Sequence, residues 1–133
     1  MYRINSIIVS HHFVIAHSLW LCFRAGSAAA RTTFVVEAEL RRDALDADGI
    51  VCHIGRALDL LKTVLAEFDY RNLDEFAEFR GRNTTREFLA CPVRKRLVWR
   101  IKEGALGSQA ITSLRVVLRE NPVAWSAYDA PLG

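Results

Sequence analysis

The sequence has few cysteines and no long uninterrupted apolar run. Its three cysteines, Cys22, Cys52 and Cys91, are odd in number and far apart, without a Cys-x-x-Cys pair. This pattern argues against a thiolate zinc site and against a disulfide framework, and it favours a reducing cytoplasmic location. The apolar segment 7–23 is interrupted by Ser and His, so we expect no signal peptide and no membrane span.

The sequence also lacks a concentrated charge of one sign. The formal net charge is +3, and the only basic run is Arg94-Lys95-Arg96. A nucleic-acid surface usually needs a denser basic patch with interleaved aromatic residues, so we expect no nucleic-acid partner and interpret the run as a solvated helix face. With 133 residues, 51% of them hydrophobic, the chain is predicted to form one globular domain over residues 1–133.

Two N-terminal segments have the composition of β-strands. Residues 5–17 are rich in Ile, Val, Phe and His, and residues 32–42 alternate apolar and polar side chains. The alternation predicts a sheet with one buried face. That face would carry Phe34, Val36, Ala38 and Leu40, and the other would carry Val35, Glu37 and Glu39. Small and polar residues predict a loop over 24–31 and a turn over 43–49.

The middle of the chain has the spacing of two helices. Apolar residues three and four apart predict an amphipathic helix over 54–68. A second helix is predicted from Thr84 or Thr85 to about Lys102, followed by Gly104 and Gly107. Pro92 lies inside it and is expected to kink it or break it into two pieces, because proline removes a helical hydrogen bond.

Two further strands are predicted after the helices, over 110–119 and 123–128. The order is therefore strand-strand-helix-helix-strand-strand. Hairpins on both sides of a helical pair predict an α+β fold. We expect a four-stranded antiparallel sheet with two helices on one face.

Five segments resemble, in order, the motifs of one enzyme family. Residues 13–19 are similar to Phe-Ser-Ala-Ala-His-x-Leu, and residues 49–54 to Gly-Met-Val-x-Asp-Phe. Residues 68–74 are similar to Leu-Asp-His-x-Asn-Leu-Asn, residues 85–90 to Thr-x-Glu-Asn-Leu-Ala, and residues 116–120 to Val-x-Val-x-Glu. Taken together, the motifs resemble those of the 6-pyruvoyltetrahydropterin and 6-carboxytetrahydropterin synthases.

The resemblance implies a tunnelling fold, in which the sheets of several subunits join edge to edge into a barrel. It implies a homo-oligomer, a trimer or a hexamer, with active sites between subunits. Members of this family bind zinc through three histidines and eliminate triphosphate, or a related group, from dihydroneopterin triphosphate. A cysteine, an aspartate and a histidine move protons, and a glutamate anchors the pterin ring.

The residues for this zinc chemistry are mostly replaced. His17 matches the first zinc ligand, but the other two positions fall on Ala30 and Thr32. Neither side chain replaces an imidazole at zinc. We therefore expect no cofactor, with zinc at His17 as the alternative and a packed histidine as the plain interpretation. His53 stands where the family has an aspartate.

The remaining candidate residues concern proton transfer and ligand binding. Tyr70 stands at the family's histidine and is a candidate general acid with Asp69 as its partner, or else a space-filling interface residue. Glu120 is a candidate for binding a pterin- or guanine-like heterocycle through two parallel hydrogen bonds, or else a surface carboxylate. Thr85 and Glu87 are candidate ligand contacts, although helix capping alone accounts for them.

Three functions stay open at this point. The first is a diverged lyase or cyclase that acts on a small heterocycle without zinc. The second is a non-catalytic binding protein or partner subunit of an oligomer. The third is the family reaction with an atypical metal site.

Overall fold

Helices and strands follow one another along the chain in nearly the predicted order. The computed structural model describes residues 4–17, 30–73, 76–79, 86–107, 111–121 and 123–132. Within these ranges the elements are β1 Asn5–His17, β2 Ala30–Arg42, α1 Ile54–Ala66, β3 Arg71–Asn72, a 3₁₀ turn Ala77–Phe79, α2 Arg86–Lys102, β4 Ser113–Asn121 and β5 Ala124–Pro131.

The strands form a mixed sheet in the order β3-β1-β2-β4-β5. The α+β class is confirmed, but the prediction of four antiparallel strands is wrong. A fifth strand, β3, lies parallel to β1, with Ile15 facing Arg71 and Ala16 facing Asn72. Two residues are too few to show alternation in a sequence, and this pairing depends on how the preceding segment packs.

The predicted alternation of the second strand is confirmed. Every second side chain of β2 is buried, namely Phe34, Val36, Ala38 and Leu40. The core continues on the same side of the neighbouring strands, with Phe13 and Ile15 from β1 and Leu114, Val116 and Leu118 from β4. Both helices pack against this side, so one face of the sheet is covered and the other is open.

The open face carries a row of ion pairs across the strands. Arg119 contacts the carboxylate of Glu37 at 2.6 Å. Arg41 contacts Glu39 at 3.2 Å and Asp129 at 2.8 Å. The hydrogen bond from Arg41 is the main reason that the pKa of Glu39 lies below its ordinary value. Glu37 thus pairs across strands with Arg119. Glu39 pairs with Arg41 of its own strand and with Arg115 of β4 at 3.9 Å. These pairs explain why the second face of β2 tolerates two glutamates.

The helices end close to their predicted bounds. His53 caps α1, where its Nδ1 accepts a hydrogen bond from the backbone N–H of Arg56 at 3.4 Å. The α2 helix runs through Pro92 as one element, so of the two expected outcomes the break into two pieces is wrong, and the kink stays a prediction. The proline removes one hydrogen bond, and the burial of Leu89, Val93 and Leu97 against the sheet holds the helix together. In the described part of the chain, no helix is long and apolar enough to cross a bilayer.

The basic run in α2 is not the solvated face that its sequence predicts. Lys95 is exposed, but Arg94 is only 8% exposed. Its Nε donates to the carbonyl of Leu114 at 3.0 Å, and its Nη2 donates to those of Ala130 at 2.6 Å and Pro131 at 3.0 Å. The helical period turns Arg94 toward the sheet, where strand carbonyls bind its guanidinium.

Candidate functional site

The positions assigned to zinc by resemblance meet at one end of the β1–β2 ladder. His17 pairs with Ala30, and Ile15 pairs with Thr32. His17 therefore lies directly opposite one replaced position, Ala30, and the other, Thr32, lies two residues further along β2. A methyl group and a neutral hydroxyl are not zinc ligands of the usual kind, so this set of residues does not fit a three-histidine site.

No other metal centre is formed within the described residues. They contain no group of three or more His, Cys, Asp or Glu side chains placed to share an ion. His11 and His12 lie side by side on β1, with ring centroids 5.1 Å apart. Burial, and then the proximity of His12 and Lys62, lower the pKa of His11 from its ordinary value of 6.5, so the imidazole is neutral at pH 7.

The segment after α1 is attached to the edge of β1 by two hydrogen bonds to one residue. The Oδ1 atom of Asp69 accepts from the backbone N–H of Val14 at 2.8 Å. The backbone N–H of Tyr70 donates to the carbonyl of Val14 at 2.6 Å. Phe68, fully buried, fixes the start of the segment in the core. Asp69 therefore positions the backbone of Tyr70, and its role in proton transfer stays a prediction.

Tyr70 has an unusual backbone for a bulky residue. Its φ is +58°, in the left-handed region, and it is the only non-glycine residue with positive φ in the described ranges. Its side chain is 82% exposed. A left-handed backbone costs an L-residue roughly 1–2 kcal/mol. The hydrogen bonds to Val14 hold the segment in this conformation, and the side chain of Tyr70 stays exposed.

Replacing Tyr70 with glycine should raise the free energy of unfolding by about 1 kcal/mol, because glycine adopts positive φ without a steric penalty. Tyr70→Phe, which keeps the Cβ atom, should leave the value unchanged. Chemical denaturation of the three proteins measures the difference. A loss of stability in Tyr70→Gly would show that contacts of the ring outweigh the backbone strain.

Glu120 lies at the end of β4, next to a register shift between Arg119 and Asn121. Its side chain is exposed. Glu120 is the extra residue of this β-bulge, two residues beyond the buried Leu118. It is therefore placed where the regular β4–β5 pairing ends.

The start of α2 points toward the same end of the sheet. Arg94 binds carbonyls at one end of β5, whereas Cys91, one turn earlier, shares a cavity with Tyr128. From Cys91 to Arg94, α2 thus runs in the same direction as β5, so its first turn, which includes Glu87, is at the end nearer the beginning of β5. Only the backbone of Glu87 is described, and Thr85, with the predicted helix cap, lies outside the described residues.

Tyr70 and Glu120 lie at the same end of the sheet but not together. Val14, which holds Tyr70, pairs with Thr33, and Val35 pairs with Arg119. Tyr70 is outside β1, and β2 lies between β1 and β4. The two residues are therefore about three strand spacings apart, or about 14 Å. One small heterocycle does not reach both within one chain.

Cys52 and His53 form no nucleophilic pair. Burial raises the pKa of the Cys52 thiol, and the nearby Arg42 opposes this only in part. Its side chain is almost inaccessible. A reactive cysteine needs a lowered pKa and access to solvent, so Cys52 is a packing residue. His53 serves as the helix cap described above.

The comparisons with known proteins agree on the fold. The sequence pattern of the family described as 6-pyruvoyl tetrahydropterin synthase matches residues 6–131. The structure is similar to that of 6-pyruvoyl tetrahydropterin synthase from Caenorhabditis elegans, with 19% identity, 97% of each chain covered and a TM-score of 0.72. The Plasmodium vivax enzyme has 15% identity and a TM-score of 0.77, with 97% of this chain and 99% of that chain covered.

An uncharacterized protein from Wolinella succinogenes also matches, with 16% identity, a TM-score of 0.67 and coverage of 95% of this chain and 98% of that chain. No curated protein matches the sequence significantly. At these identities the structural matches establish the fold, and the family assignment comes from the sequence pattern.

Proposed function

The chain belongs to the 6-pyruvoyl tetrahydropterin synthase family, and from that membership we infer that it binds a pterin- or guanine-like heterocycle through Glu120. The chemistry proposed on this ligand is of the lyase or cyclase type, without the family zinc site. The observation that carries the proposal is the exposed Glu120 at the end of β4, beside the β-bulge where the regular β4–β5 pairing ends.

A carboxylate in this position recognises one edge of the heterocycle. Pterins and guanine present a ring N–H beside an exocyclic amine, and both donate in the same direction. Two carboxylate oxygens accept these two hydrogen bonds in parallel, as they do from an arginine side chain. An analogue without the exocyclic amine loses one bond of the pair.

Tyr70 is proposed as the proton donor, and a second copy of the chain completes the site. Tyr70 directly precedes β3, the edge strand beside β1, and Glu120 lies at the end of β4, next to the β5 edge. Edge-to-edge pairing of two copies brings Tyr70 of one copy toward Glu120 of the other. A ring of such copies, a trimer or two stacked trimers, also removes both exposed edges.

The substrate is proposed to differ from that of the zinc enzymes. A bound zinc ion acidifies hydroxyl groups next to it. The residues at positions 17, 30 and 32 do not fit that ion. A substrate with an intrinsically acidic proton does not need a metal ion to acidify it, so a phenol such as Tyr70 has only to exchange a proton with it.

Glu120→Gln tests the ligand. Neopterin should stabilise the wild-type protein against heat, and the variant should bind it at least about tenfold more weakly, because a charge-assisted bond becomes a neutral one and one acceptor becomes a donor. Glu103→Gln, at an exposed glutamate after α2, is the matched control and should bind as the wild type does. Equal affinity in the wild type and Glu120→Gln would exclude this carboxylate as the anchor.

A non-catalytic binding protein is the second candidate, favoured by the engagement of Asp69 with Val14. Tyr70→Phe separates the catalytic candidate from the non-catalytic one. If Tyr70 donates a proton, the variant should lose turnover and keep the affinity of the wild type for neopterin. Binding without turnover in the wild type supports the second candidate. One zinc ion per chain, lost in His17→Ala, would instead support the family reaction with an atypical metal site.

A further inference from the structure

A cavity outside the candidate site lies between the first half of α2, the 3₁₀ turn and β5. Its volume is about 460 Å³, within the range of small-molecule pockets. Neither Glu120 nor Asp69 nor Tyr70 lines it. The residues around it come from three separate elements, so no motif in the sequence indicates it.

Three aromatic rings line the cavity. Phe79 and Phe88 meet edge to face, with ring centroids 5.7 Å apart. Tyr128 lines another side, and the guanidinium of Arg94 lies 5.4 Å from the centre of its ring. Aromatic rings favour a flat, apolar ligand, which they contact by stacking or by their edges.

The charges at the cavity favour an anion. Glu78 lines it, but Arg96 binds the carboxylate of Glu78. Lys95 also lines it, and among the described residues no carboxylate lies within salt-bridge distance of Lys95. Arg94, behind Tyr128, adds positive potential. The uncompensated charge is therefore the exposed ammonium of Lys95.

We propose that this cavity binds a small aromatic anion, with its ring against Phe88 and Tyr128 and its carboxylate on the ammonium of Lys95. The site is separate from the heterocycle site at Glu120. The proposal does not depend on pterin binding, and each of the two can fail without the other.

Cys91, in the cavity wall, reports on occupancy. Purified full-length protein is treated with iodoacetamide, and the alkylation rate of Cys91 is measured by peptide mass spectrometry. Naphthoate at ten times its Kd should slow the reaction about tenfold by mass action. Naphthylmethylamine, with the same ring system and a positive charge, should not. The buried Cys52 serves as an internal reference for unfolding.

Lys95→Glu should weaken protection by naphthoate about tenfold or more, because a charge-assisted contact becomes a repulsion. In Lys62→Glu, at an exposed lysine of α1, naphthoate should protect Cys91 as well as it does in the wild type. The proposal would be overturned by no protection by naphthoate, by equal protection by the amine, or by full protection in Lys95→Glu. A Cys91 that does not react in the free protein would also overturn it, since the cavity is then covered in solution.

Discussion

Arg94→Ala is expected to lower the free energy of unfolding by about 3–5 kcal/mol. The change removes three hydrogen bonds from a buried cation to the carbonyls of Leu114, Ala130 and Pro131. These bonds tie α2 to β4 and to the end of β5. The carbonyls left behind lose a charged donor, and the removed side chain leaves an internal void. Denaturant unfolding of the purified protein measures the loss.

Arg100→Ala is the matched control on the same helix. Arg100 is partly exposed, and within the described ranges its side chain makes one long polar contact, 3.4 Å to Glu67, so its loss should cost less than about 1 kcal/mol. The loss of unfolding free energy in Arg94→Lys should lie between those of Arg94→Ala and Arg100→Ala, because an ammonium keeps the charge but not the planar arrangement of donors. A cost for Arg94→Ala as small as that of Arg100→Ala would mean that water replaces the guanidinium without penalty.

Phe68→Ala should cost about 3–5 kcal/mol, as expected for a fully buried aromatic side chain. Phe68 lies at the centre of an aromatic cluster, with ring centroids 6.1 Å from Phe13, 5.8 Å from Phe76 and 6.2 Å from Phe79. The guanidinium of Arg96 lies 4.6 Å from the centre of its ring. Removal of the ring therefore opens a cavity under the segment that carries Tyr70.

A local measurement separates this effect from general destabilisation. The amide of Val14 is bound by Asp69, the residue after Phe68, so its hydrogen exchange should accelerate more in Phe68→Ala than that of the central β2 amides. Phe76→Ala, at a half-buried ring of the same cluster, should lower the free energy of unfolding less than Phe68→Ala does. Equal acceleration at Val14 and in β2 would show that Phe68 supports the whole core and not this segment in particular.

Much of the fold was predictable because burial leaves a period in the sequence. The alternation from Phe34 to Leu40 gave the second strand and its buried face, and three- and four-residue spacing gave α1. The turn at 43–49 followed from Asp and Gly, and the structure shows Asp46 binding the backbone of Asp48 and Ile50. These features arise from neighbouring residues, so a sequence shows them directly.

The errors concern features that depend on distant contacts. β3 exists because the Asp69–Tyr70 segment binds Val14, far away in the chain. Arg94 is buried because strand carbonyls face it, which no basic run reveals. Pro92 stays within a helix because packing compensates for its lost bond.

For the site, sequence reasoning named individual residues but not their separation. Tyr70 and Glu120 belong to motifs, whereas the two strands between them are a property of sheet order. The left-handed backbone of Tyr70 also leaves no signal, because glycine or asparagine is the usual residue there. The cavity beside Lys95 was missed because its walls come from three elements.

The sheet order also determines when, during synthesis, the core can close. Val35 of the central strand β2 pairs with Arg119, more than eighty residues further along the chain. A ribosome needs about 4 to 16 s to make that length. Throughout this time the β1–β2 hairpin has been translated, but one edge of β2 has no strand beside it. The nascent chain therefore presents an unpaired strand edge until β4 emerges, and unpaired strand edges favour aggregation.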